Sequence, residues 1–460
     1  MQEMLERYVY FWIGMIRCAV TGSVGYFLWL GALGVAIAAG GFSYYHDLTE
    51  GLGVTNMNDY VSWGIGIANF VFFVGIAAAA AVLVVPAYAF HRNDIKEVVL
   101  IGELLAFCSV AMCMLFIMTD IGHPERFWHL VPPLGALNLP SSLLAWDVIV
   151  FNVYLFLNLH IPGYLLYKLY LGEKPWWPLY LPFVFISMVW AVSIHTVTAF
   201  LLAGLASRAF WSSAILAPRF LISAFASGPA FLILLFSFLR RWTRLTVKRS
   251  VLDFLVKVLR VTMPINLFLF GCDFFIELYP GTSHSIHAQY LYFGINGHDT
   301  LTKAIWTAVA LNVVATIIFE VKALRERRTA IFVACVMTIL GIWTEKGMGL
   351  IFPGFIPSPL GELVEYLPNI GEILVSVAVF ALGALMFTVM VKVSIAIQTG
   401  ELRLERPMVE VMMGEARRQL SAVTRARPIP SRTAVPEVPY HVLSTRKKIR
   451  RLAMDVLKKL

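Results

Sequence analysis

Ten stretches of this chain are apolar over roughly twenty residues, the length that carries a helix across the hydrocarbon of a bilayer. No other feature narrows the fold so far. In lipid a backbone finds no water for its amides and carbonyls, so a spanning segment must satisfy them within itself as a helix. The expectation is an all-α polytopic bundle. The stretches lie at about 20–41, 61–90, 97–119, 143–168, 178–204, 218–239, 252–279, 301–321, 329–345 and 371–399, the ninth being short and flanked by charge. Composition agrees: 59% of residues are hydrophobic and 14% charged, well outside the range of soluble domains.

The connecting segments alternate in charge. Those after the second, fourth, sixth and eighth stretches carry Arg92 and Lys96; Lys168 and Lys174; Arg240, Arg241, Arg244, Lys248 and Arg249; Lys322, Arg325, Arg327 and Arg328. The other set holds Arg126, Arg208 and Lys346 as exceptions. Lys and Arg mark the cytoplasmic side, so both termini are expected there, in the cell membrane. The net charge of +9 is a membrane feature and does not point to nucleic acid.

Three regions follow. Residues 1–19 mix aromatics with charges and read as an interfacial helix, with no cleavable signal expected. Residues 20–399 form the ten-span domain, in which spans two to five and six to nine could make two four-helix halves flanked by the remaining helices. Residues 400–460 form a basic cytoplasmic tail with fourteen Lys and Arg from 401 onward, suited to a lipid surface or a docked subunit. The long segments at about 42–60, 120–142, 280–300 and 346–370 would lie outside, where a partner can dock.

Ionisable residues at membrane depth are costly and are read as functional. His195 lies in the fifth span, within Ser193-Ile194-His195-Thr196-Val197-Thr198. Asp120 ends the third span, Asp147 is about a turn inside the fourth and Arg219 opens the sixth. Asp273 and Glu277 are spaced for one face of the seventh. His123, Arg126, Trp128 and His129 follow Asp120. All favour the outer leaflet. Structural ion pairs, such as one between Asp147 and Arg219, are the plain alternative. On the inner side Glu103 has no partner in sequence and could sit on a proton path, and Gly228-Pro229 and Pro264 are expected to interrupt spans six and seven.

This set suits a quinone head group, which needs donors for its oxygens and a proton acceptor when the quinol is oxidised. Trp128, Trp146, Trp190 and Phe200 could flank the ring. Cys18, Cys108, Cys113, Cys272 and Cys335 have no cluster-binding spacing, so no intrinsic iron–sulfur centre is expected. His160 and His195 lie toward opposite ends, which argues against haem, and His284, His287 and His298 are a weak basis for a metal site, so none is expected. Interrupted spans with polar groups also fit a secondary transporter or a proton-conducting subunit without a redox role.

Asp120-Ile-Gly122-His-Pro124-Glu-Arg126-Phe-Trp128 resembles the D-x-G-x-P-x-R-x-W stretch of the NrfD/PsrC-like integral membrane subunits. Trp146-Asp147 with Tyr154, the His195 stretch running to Phe210-Trp211, and Ala217-Pro218-Arg219-Phe220 follow in the same order. The similarity covers roughly residues 60–345 and is greatest to the DsrP-type subunit of the DsrMKJOP complex. It implies a menaquinone- or other quinone-binding subunit of a respiratory complex, linked to sulfur metabolism, that binds no haem or iron–sulfur cluster itself. It would exchange electrons with an outer-face, periplasmic ferredoxin-like iron–sulfur subunit. Other membrane and cytoplasmic subunits of a Dsr-type complex, and a multihaem cytochrome c, are the further partners implied. By matching motif, His195, Asp147 and Asp120 would be catalytic, and Arg126, Tyr154, Thr196, Arg219 and Trp128 would bind the quinone. Glu103, Asp273 and Glu277 complete the expected site as a proton path. The basic tail departs from the family pattern.

Overall fold

A computed structural model describes residues 2–131, 133–281 and 285–404. The basic tail from 405 onward and His284 lie outside the described residues. Ten helices are long and apolar enough to cross a membrane: Val24–Glu50, Ile65–Ala89, Asn93–Asp120, Leu143–Tyr170, Trp177–Ala203, Leu216–Trp242, Arg249–Leu278, Thr302–Glu320, Arg328–Phe355 and Ile370–Gln398. They are spans one to ten below. A helix of 27 residues, such as the first, is about 40 Å long. An N-terminal helix, Gln2–Val20, precedes them, and a short helix, Ile286–Phe293, lies between spans seven and eight.

Spans two to five pack into a ring of four, and spans six to nine into another. The rings meet along a seam where span two lies against span six, with span five also touching six and span nine touching two. Without a hydrophobic drive between helices in lipid, close approach of small residues supplies much of the packing. A side chain at Gly228 would come within 3.1 Å of Ala79, and one at Gly75 within 3.2 Å of the Ser227 hydroxyl. Span ten packs on span three and carries span one on its outer side. Burial follows this arrangement: 83% of the most apolar window of span two is buried against 11% for span one. Two of the buried clusters are large, one including Phe116, Tyr154, Trp211 and Phe220 and the other Leu83, Ile101, Phe236 and Phe319.

The ends of spans one and nine differ from expectation. Span one continues to Glu50, which shortens the following segment. Span nine does not stop at its charged residues: it passes through Glu345 and Lys346 in a π turn, Trp343–Met348, and both side chains are buried. The helices of spans six and seven run through Pro229 and Pro264, and that of span four through Pro162. The changes of helical register fall instead in span nine and in span two, at Ala78 and in the π turn Val85–Ala89. Such turns expose backbone groups and re-aim side chains.

Candidate functional site

Span four begins at Ser142, whose hydroxyl accepts from the Ala145 amide at 3.2 Å. That cap places Asp147 one turn into the helix, 3% exposed. Its Oδ1 lies 3.0 Å from the Thr198 hydroxyl of span five, and its Oδ2 has no partner. Ala191, Ile194, His195, Thr198 and Leu202 recur at helical spacing along the buried face of span five. His195 is wholly buried, with Nδ1 at 2.8 Å from the Ala191 carbonyl. A carbonyl can only accept, so Nδ1 carries the proton and the neutral ring presents a bare lone pair at Nε2. That nitrogen has no hydrogen-bond partner. Tyr154 is buried nearby, its hydroxyl donating at 3.2 Å to the Ala77 carbonyl, just where the helix of span two is interrupted.

Thr196 falls on the other face. It is exposed in part and donates at 3.0 Å to Val192 of its own helix. Arg126 and Trp128 stand exposed on the loop after span three, Arg126 4.0 Å from Glu125 and Trp128 against His129. The structure therefore does not bring these three to His195.

Asp120 caps the start of span two. Its Oδ2 accepts from the amides of Gly64 at 3.1 Å and Ile67 at 3.2 Å, a favourable place for a carboxylate. Gly66 is required there, since a Cβ would come 2.3 Å from Asp120 Oδ1. Glu372 of span ten works beside it: it accepts from Tyr366 at 2.5 Å, and the Tyr366 oxygen accepts from the Ile65 amide at 3.0 Å. Asp120, Glu372, Asp47 and Ser376 line a small crevice between spans one, two, three and ten.

Arg219 does not meet Asp147. It binds Asp273 of span seven and, at 2.8 Å, Glu345 of span nine, whose second oxygen accepts from Asn312 of span eight at 3.0 Å. Glu277 is 2.6 Å from His287 of the 286–293 helix. Glu103 is 1% exposed with both oxygens unpartnered, and the Ser109 hydroxyl, further along the same span, is also unpartnered. Among the described residues no group of three or more His, Cys, Asp and Glu is placed to hold a metal ion.

Sequence reasoning missed Glu345, Lys346 and Asn312. The two charges looked like the edge of a loop because they interrupt an apolar run. The renewed apolar stretch from Met348 to Phe355 was the signal that the helix continues.

A family profile described as "Polysulphide reductase, NrfD" matches residues 53–357, which takes in spans two to nine. A component of the selenate reductase of Mesobacillus selenatarsenatis is 25% identical over 409 residues, covering 79% of this chain and 93% of that protein. The Hdr-like menaquinol oxidoreductase integral membrane subunit of Archaeoglobus fulgidus is 24% identical over 388 residues, covering 80% and 93%. The menaquinone reductase integral membrane subunit of Nitratidesulfovibrio vulgaris is 27% identical over 115 residues, a quarter of this chain. With the family match spanning both four-helix halves, this chain is a multi-pass membrane protein that belongs to the NrfD polysulphide reductase family.

Proposed function

We propose that this protein is the quinone-binding membrane subunit of a multi-subunit reductase or quinol oxidoreductase, exchanging electrons with an iron–sulfur partner. The observation that carries the reading is the pair of buried acceptors without donors, His195 Nε2 and Asp147 Oδ2, on adjacent spans. A buried polar atom left unpaired costs on the order of 1–3 kcal/mol, so such atoms are expected to meet a guest. The guest that fits is one bringing hydroxyl donors, which a quinol does. Two relatives carry menaquinol or menaquinone in their names. A quinol supplies two electrons and two hydroxyl protons when bound.

This chain's residues handle the protons. His195 Nε2 accepts one, while Nδ1 stays on the Ala191 carbonyl. Thr198 keeps Asp147 aimed through Oδ1 and leaves Oδ2 for the second. Glu103, Ser109 and Tyr154 on spans three and four support a proton route toward the basic end of the bundle. The electron partner docks on the opposite end, which the charge asymmetry makes the outer face; both termini are then cytoplasmic. A cytoplasmic reporter fused near Arg244 is expected to be active and one near Gly294 silent; the reverse pattern would overturn the orientation.

The test is extraction of the purified complex. A quinone is expected to copurify at about one per chain and to be depleted in Asp147→Asn. A complex that carries no quinone and reduces or oxidises none would leave a transporter or a proton-conducting subunit as the better reading.

A further inference from the structure

The second four-helix half has a polar crevice that the proton handling above does not use. Spans seven and nine stand diagonally in this ring and make their close packing to spans six and eight. The crevice lies between six, seven and nine: Phe220 and Ser223 line one side, Asn266 another, and Glu345, Lys346 and Leu350 the third. The π turn of span nine puts Lys346 there, 6% exposed. Its amine lies 3.4 Å from the Phe220 carbonyl and 4.2 Å from the centre of the Phe220 ring. Charged or neutral, a lysine amine has at least two N–H groups, and one long bond cannot use both. Asn266 is 4% exposed, and its Nδ2, with two N–H groups of its own, has no partner. Two buried donors from diagonal helices thus border one space.

Acceptors border it too. The Ser223 hydroxyl spends its proton on the Phe220 carbonyl at 3.0 Å, which leaves its oxygen able to accept. Glu345 takes one bond on each oxygen, from Arg219 at 2.8 Å and from Asn312 at 3.0 Å, and each carboxylate oxygen has a second lone pair. A guest here has to accept from Lys346 and Asn266 and to donate to Ser223 or Glu345. A halide cannot donate, and a metal cation cannot accept from N–H groups. Water does both. The space has a volume of about 10 Å³, on the scale of a single water and far below that of a quinone ring or a lipid headgroup. We propose that this crevice binds one water molecule, which accepts from Asn266 and Lys346, donates toward Ser223 and Glu345, and joins spans seven and nine across the ring. It gives the buried amine the partners that its own helix lacks. Buried waters of this kind make about three hydrogen bonds and are part of the fold that holds them. The bridge is no step in the quinone reading and stands apart from it.

Two measurements on the purified complex test it. In a density map that resolves other buried waters, a peak is expected within hydrogen-bonding distance of both Asn266 Nδ2 and Lys346 Nζ. A crevice without density in such a map, or density too large for water, overturns the proposal. The second measurement is X-ray hydroxyl-radical labelling, in which radicals made from water modify the side chains that the water touches. Phe220 is 1% exposed, so its modification reports a bound water and not bulk solvent. The wild type is expected to be labelled at Phe220. Asn266→Leu, which removes the donor and fills the space, is expected to lose that label, and Asn266→Ser, which keeps a donor, to retain it. An unlabelled Phe220 in the wild type, or a leucine variant labelled as the wild type is, overturns the proposal. The wild-type map and label decide the matter if the variants do not assemble. A water found here in a complex that carries no quinone leaves this inference standing and sinks only the functional reading.

Discussion

A histidine with one nitrogen committed to a carbonyl has only its other nitrogen with which to act as a base. For His195 the commitment is to Ala191, four residues back on the same helix, so the helix itself selects the tautomer. Thr198, one turn on, does the same for Asp147 by occupying one carboxylate oxygen. Each orienting group is held by its own backbone, which is how a site keeps its geometry inside a bundle. Under the proposed function, His195→Ala and Asp147→Asn each lower quinol-linked electron transfer about 100-fold, within the range for loss of a positioned proton acceptor. Single-turnover rates check this, and near wild-type rates would remove both residues from the reaction. His195 and Asp147 could be singled out in the sequence because charge at membrane depth is rare. That Thr196 would face away while Thr198 faced in was not legible, since both lie in the same short run and only the packed helix separates them.

Helix termini and turns decide where the remaining charges go. Asp120 is spent on the first amides of span two, and Gly66 leaves the room for it. Arg219 binds carboxylates from spans seven and nine and so ties three helices of the second ring together. Breaking one partner of a buried ion cluster leaves uncompensated charge, at about 3–5 kcal/mol. Arg219→Met is therefore expected to lower the thermal unfolding midpoint of the detergent-solubilised protein markedly. A triple change that also makes Asp273 and Glu345 apolar should recover much of the loss. A single variant as stable as the wild type would show that the cluster contributes no net stability. The alternative of an Asp147–Arg219 ion pair is not what forms, because the residues belong to different rings, and periodicity within a helix says nothing about which helices meet.

Across the whole molecule, two of the connections at the end opposite the basic loops are tied to each other. Glu365 accepts from the Thr300 amide at 3.0 Å and lies 3.3 Å from His298 Nδ1, so it joins the segment before span ten to the one before span eight. Partial burial works to raise its pKa, but hydrogen bonds from Thr300, Tyr290 and His298 outweigh it and hold the carboxyl below its ordinary value. A group depressed in the folded state stabilises above its unfolded value, and that contribution is lost as pH falls through the folded one. The protection factor of the Thr300 amide, its exchange rate relative to the intrinsic rate at the same pH, is thus expected to fall as pH drops below the ordinary carboxylate range and to be unchanged between pH 6 and 8. Glu365→Gln should show lower protection between pH 6 and 8, where the wild-type carboxylate is ionised, and protection indifferent to both acid and the substitution would rule the contact out as a tether. The surface so held is where the electron partner is proposed to dock.

Ten spans, their approximate bounds and the alternation of basic loops were determined by the sequence alone, because bilayer thickness and backbone hydrogen bonding act on each segment independently of the others. The pairing of the helices into two rings, the division of the polar residues among Asp147–His195, Asp120–Glu372 and Arg219–Glu345, and the burial of Lys346 were decided only by the tertiary structure. Those outcomes depend on which faces of different helices meet, and on a π turn that rotates one face against its neighbours, and a string of apolar residues in lipid carries no record of either.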